Sequence, residues 1–173
     1  MRTLMTFTML IFFCTLLHGQ ERLSKVANLK APAKAEKKSR DEIYLYEEQN
    51  FKIVPRMRRL QNLFKSGKVL IEFEDFEHPK SYRNTLEDVR ARILGEGEEI
   101  LALGMNNKVD IQTINGTRYL FHKLHKDDES YYYFRSEDIN NKGIMGTLKF
   151  KTKDQKEAEK VLYSFLNNVK FSK

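Results

Sequence analysis

Asn115-Gly116 lies between two β-prone runs, Lys108–Ile114 and Thr117–Leu124. Both residues accept positive φ, so they close a two-residue turn and make the flanking runs antiparallel neighbours. More β-prone runs follow at Tyr131–Arg135 and Gly143–Lys151, joined by the polar connections Lys126–Ser130 and Glu137–Gly143. Links this short suit an antiparallel sheet, because parallel neighbours need crossovers of a dozen or more residues. Earlier in the chain, Lys68–Phe76 alternates Val69, Ile71 and Phe73 with Glu72 and Glu74, one face apolar and one acidic. Glu99–Leu103, Ile43–Tyr46 and Phe51–Val54 are shorter β-prone segments. Pro55 either closes the last of these or opens a short helix with Met57, Leu60, Leu63 and Phe64 as its apolar face.

Two helices complete the pattern. Asn84 can cap one, with Glu87 at its third position as in a capping box and Leu86, Val89, Ile93 and Leu94 on one face. Gly95 and Gly97 then end it. The terminal helix is the more strongly written. Asp154 and Glu157 stand at capping-box spacing, and Ala158, Val161, Leu162, Phe165, Leu166 and Val169 form a continuous stripe. A mostly antiparallel sheet packed with two main helices is an α+β domain. At 173 residues, the chain has room for one such domain, placed at 41–173.

The first twenty residues read differently. Arg2 precedes an uncharged, mostly apolar run from Leu4 to Leu17, followed by the more polar His18-Gly19-Gln20. That is the layout of a secretory signal peptide, and it is shorter than the 18 or so apolar residues a membrane span requires. Residues 1–20 are therefore expected to direct export to the periplasm or outside the cell. Lipid anchoring through Cys14 is the alternative, although Phe13 occupies a position where a small residue is wanted. Removal of this segment takes the single cysteine with it, and with it disulfide and thiol chemistry.

The net charge of +7 is unevenly placed. Residues 21–40 carry seven basic and two acidic side chains, whereas 41–173 carry 23 basic and 22 acidic. A nearly neutral domain that is exported gives no reason to expect nucleic acid as a partner. Residues 21–40, rich in Lys and Ala, read as a flexible basic linker between signal and fold.

Motifs for chemistry are sparse. His122 and His125, three apart on a strand, point to opposite faces and cannot share a metal there. His78 precedes Pro79 without an evident partner. Glu72 and Glu74 stand on one strand face, and a solvated face is the simpler reading than an acid–base pair. No nucleophile elbow, phosphate loop or dinucleotide fingerprint occurs, so no catalytic residue, metal or cofactor is expected. Asn115-Gly116-Thr117 also spells a glycosylation sequon, but the turn accounts for it. Two contact candidates remain. Arg56, Arg58 and Arg59 form a cluster suited to a carboxylate, a phosphate or an acidic partner. Tyr131-Tyr132-Tyr133-Phe134 places an aromatic pair on each strand face, one for the core and the other, Tyr131 and Tyr133, for a partner.

The stretches NFKIVP, KVLIEFEDF with TLEDVRARIL, INGTRYLF, and YYYFRS through GIMGTLKF to DQKEAEKVLYSFL and VKF resemble, in their order, the PsbP-like fold. The resemblance spans about 41–173 and departs from the family at Arg56–Arg59, where an aromatic-rich start is usual. It implies a noncatalytic accessory or binding domain that docks to a protein or envelope partner, and it brings no catalytic residues. An immunity-type inhibitor of a secreted toxin, or an envelope hydrolase using scattered carboxylates, are the competing functions.

Overall fold

The computed structural model describes residues 23–171 apart from 33, 59, 82 and 83. The export signal expected at 1–20 and Cys14 lie outside the described residues, and no helix among those described is long and apolar enough to cross a membrane.

Seven strands form one antiparallel sheet: β2 (Ala35–Lys37), β3 (Asn62–Ser66), β4 (Val69–Glu77), β5 (Asn106–Ile114), β6 (Thr117–Lys126), β7 (Glu129–Ser136) and β8 (Lys142–Lys151), in the spatial order β2-β3-β4-β8-β7-β6-β5. The β5–β6 hairpin turns on Asn115 and Gly116 with φ of 49° and 78°, as the sequence predicts. Asn140 and Asn141 do the same ahead of β8, with φ of 56° and 64°. Gly146 in β8 admits no side chain, because a Cβ there would lie 2.2 Å from the Glu72 carbonyl oxygen and 2.5 Å from the Phe134 ring.

Helices cover both faces. α4 (Gln155–Asn167) lies on one, burying Ala158, Leu162, Phe165 and Leu166 against Ile71, Phe73, Phe121, Tyr132, Phe134 and Phe150. On the other face, α1 (Arg40–Asn50) packs Ile43 with Phe51, Met57, Leu63 and Leu70. There α2 (Leu86–Gly95) sets Leu86, Val89 and Ile93 on Val109 and Leu120, followed by the short α3 (Gly97–Ala102). A separate two-stranded ribbon joins β1 (Ala27–Asn28) to β9 (Lys170–Phe171).

The α+β class and the α4 stripe agree with the sequence reading, and several local expectations do not. Residues 27–28 and 35–37, expected in a flexible linker, are strands: Ala27 pairs with Phe171 and is buried, and Ala35–Lys37 pair with Phe64–Ser66. Long-range pairing supplies what local composition lacks. Ile43–Tyr46 is helical, because Ser39 and Glu42 form a reciprocal capping box that starts α1. Phe51–Val54 is neither strand nor helix, and Leu63 and Phe64 belong to β3. Thr85 with Asp88, rather than Asn84 with Glu87, caps α2, and Leu94 stays exposed. Gly97 begins α3 where a strand over Glu99–Leu103 was expected. Asp154 sits at the cap of α4, but its side chain makes no capping hydrogen bond, because a 3-10 turn (Thr152–Asp154) leads directly into the helix.

Candidate functional site

Residues 51–61 connect α1 to β3 without regular structure and pass over the sheet face opposite α4. Pro55 prevents α1 from continuing through them. A segment without internal hydrogen bonds must find partners for its buried amides elsewhere. Three buried carboxylates provide them.

Glu129, in β7, accepts from the backbone N–H of Lys52 and Ile53 at 2.8 Å and of Val54 at 3.1 Å, and from Lys151 Nζ at 3.1 Å. Glu47, in the last turn of α1, accepts from Met57 N–H and from Lys149 Nζ, both at 2.9 Å. Glu72, in β4, accepts from Arg58 N–H at 2.7 Å, Leu60 N–H at 2.9 Å and Thr147 Oγ1 at 2.6 Å. Six amides of one connection are thus tied to a helix and two strands. Register explains why the carboxylates converge. Leu70 and Glu72 stand opposite Lys149 and Thr147, and Tyr131 and Glu129 stand opposite Lys149 and Lys151, all with side chains on the same sheet face.

Burial works against the negative charge of Glu129, but the three amides and Lys151 outweigh it and hold its pKa below the ordinary carboxylate range. Glu74 goes the other way. Burial, with the neighbouring charge of Glu72, raises its pKa. Lys149 and Lys151 also lie over the Phe51 ring, at 4.9 Å and 5.4 Å from its centre. Apolar contacts pin the same segment, with Val54 against Leu124 and Tyr131, and Met57 against Ile43 and Leu70.

Residues 51–61 contain Lys52, Arg56, Arg58 and Arg59 and no acidic residue. Lys52, Arg56 and Arg58 are exposed. Arg56 pairs with Glu48 at 3.5 Å and lies over the Tyr44 ring at 5.2 Å, while Tyr44 donates to the same glutamate. Arg58 lies over the Tyr133 ring at 5.5 Å. Arg59 falls outside the described residues. Beside Arg56, a cleft of about 400 Å³ opens between α1 and the connection, lined by Glu47, Phe51, Val54 and Lys149 among others.

The two contact candidates therefore meet, since Arg58 and Tyr133 occupy one surface. Tyr131 is instead buried beneath Val54, and burial pushes its hydroxyl up to about 12. Tyr132 and Phe134 are core residues under α4, as the alternation predicts. Glu72, expected on a solvated face, is fully buried and committed to three donors, so it and Glu74 are not an acid–base pair. His122 and His125 do occupy opposite faces. Among the described residues no three His, Cys, Asp or Glu side chains gather as a metal-binding group. His78 Nε2 accepts from Arg135 at 2.8 Å.

Glu47, Glu129 and Lys149 hold this surface in place, and none stands out locally in the sequence. A signal for Glu72 does exist. Leu70 shares its face, and an apolar neighbour two residues away marks a face that is covered.

No family model matches the sequence, and no curated protein matches it. The fold is similar to the solution structure of cyanobacterial PsbP (CyanoP) from Synechocystis sp. PCC 6803, with 9% identity over 85% of this chain and 93% of that one and a TM-score of 0.49.

Proposed function

We propose that this chain is an exported, noncatalytic binding or accessory protein that docks an acidic protein or envelope surface through residues 51–61, with Arg56, Arg58 and Arg59 as contacts and Tyr133 beside them. One observation carries the reading: a connection with four basic and no acidic side chains has six of its backbone amides tied down by three buried carboxylates. A charged loop that is already ordered gives up little conformational freedom on binding, and its guanidinium groups suit carboxylates and phosphates. Export rests on the layout of residues 1–20. The intact mass of the exported chain tests it, with a start near Gln20 or Glu21 expected and acylated Cys14 supporting the lipid-anchored alternative.

The docking reading is tested by replacing Arg56, Arg58 and Arg59 together with Gln. Retention of the purified chain on an envelope fraction, measured over a salt series, should fall and lose most of its salt dependence. Retention and salt dependence equal to those of the unmodified chain would remove this surface as the contact.

A further inference from the structure

The two edges of the seven-stranded sheet are built differently. β2 is three residues long and carries Lys37 beside Lys38, the short and charged form by which edges are kept from pairing. β5, at the far edge, runs nine residues in unbroken register with β6, with neither a bulge nor a proline.

The hairpin fixes which backbone groups β5 leaves open. Ile114 and Thr117 flank a two-residue turn and form its closing hydrogen-bonded pair, so the even-numbered residues of β5 bond to β6. Asn107, Val109, Ile111 and Thr113 then direct their N–H and C=O groups outward. No partner among the described residues meets those groups. Lys108 and Asp110 stand on one face at the middle of this edge, only loosely paired with each other at 3.9 Å; the Lys108 side chain is 71% exposed, and Asp110, 25% exposed, also accepts from Gln112 Nε2 at 3.0 Å.

We infer that β5 pairs with β5 of a second copy of this chain, antiparallel and centred on Val109, so that one sheet runs through both copies. Charge selects this register. Odd-numbered residues form the hydrogen-bonded pairs across the new edge, and even-numbered ones form the non-hydrogen-bonded pairs whose side chains approach most closely. Centring on Val109 places Lys108 opposite Asp110 of the second copy, and two-fold symmetry makes the pair twice. Moving the centre to Lys108 sets two lysines opposite each other, and moving it to Asp110 sets two aspartates opposite each other. Centring on Ile111 leaves Lys108 opposite Ile114 and Asp110 opposite Gln112, with neither charge matched. The contact is independent of the basic surface at 51–61, so either can fail alone.

Sedimentation velocity of the full chain over a concentration series should show the one-chain species giving way to a two-chain species. Lys108→Asp and Asp110→Lys should each weaken the association at least tenfold, because each places like charges opposite one another. Mixing the two variants in equal amounts should restore it, and native mass spectrometry should find one chain of each kind in the restored species. Circular dichroism melts confirm that the variants fold; if Asp110→Lys does not, Lys108→Asp, at a side chain standing in solvent, still decides the matter. A one-chain species at every concentration would overturn the inference. So would an association indifferent to Lys108→Asp, or one that the mixture of folded variants fails to restore.

Discussion

Both faces of the sheet are covered by other parts of the chain, but by different means. Under α4 the contacts are mainly aromatic and aliphatic, with Phe73 and Phe165 rings 4.7 Å apart and Tyr132 edge-on to Phe150 at 4.9 Å. Under α1 and residues 51–61, three carboxylates and two lysines share the space with Leu70, Phe51 and Met57. The difference follows from what covers each face. A helix satisfies its own backbone and presents only side chains, so apolar packing suffices. An irregular connection brings bare amides, and acceptors must come from the sheet beneath it. The dry face therefore holds the domain together, while the charged face gives one segment a defined shape.

This contrast predicts different responses to damage. Phe165→Ala should cost about 3–5 kcal/mol in denaturant melts, since a large buried ring is lost from a rigid surround. Lys149→Met should cost about as much by a different route, leaving the Glu47 carboxylate buried without its counter-charge. Rescue separates the two. Adding Glu47→Gln to Lys149→Met removes the stranded charge and keeps an acceptor for Met57 N–H, and most of the loss should return. Melts showing no recovery would mean that Lys149 acts through packing alone, and the comparison between the faces would fail.

Acid should act on the charged face first. Glu129 is harder to protonate in the folded chain than in the unfolded one, so its contribution is complete above the ordinary value of 4.5 and is lost as pH falls through the lower folded value. Hydrogen exchange should show Lys52, Ile53 and Val54 losing protection in that range, after correction for intrinsic rates. The amides of α4 should hold theirs until the whole domain unfolds. Smallest of all, replacing Arg56 and Arg58 with Gln should change stability by no more than about 0.5 kcal/mol, because both side chains stand in solvent. A larger loss would make them part of the scaffold rather than a surface it displays.

The dry face was the legible one. Asn115-Gly116, the alternation in β4 and the stripe from Ala158 to Leu166 are local patterns, and each corresponds to an element of the structure; Val169, read as part of that stripe, lies beyond the helix end. The charged face could not be read in the same way, because its bonds join residues up to 102 positions apart, as from Lys149 to Glu47. Alternation at Glu72 and Glu74 suggests water on that side; Leu70 alone hints at a cover, and no local pattern reveals that the cover brings amides from residues 58 and 60. Residues 27–37 escaped for a similar reason. Two short strands among lysines and alanines have no periodicity of their own, and their partners lie in β9 and β3. One missed element was visible: Ser39 and Glu42 stand at capping-box spacing ahead of α1.

The ribbon formed by β1 and β9 has a consequence for the order of events during synthesis. Ala27 and Asn28 leave the ribosome more than a hundred residues before Phe171 and Lys170, the residues they pair with. Until those residues emerge, the early strand has no template and Ala27 no lid. Closing the ribbon is thus a late event: a chain that stalls within α4 cannot make it, however well its hairpins have formed. Such a chain leaves Ala27, buried in the folded domain, without the strand it pairs with.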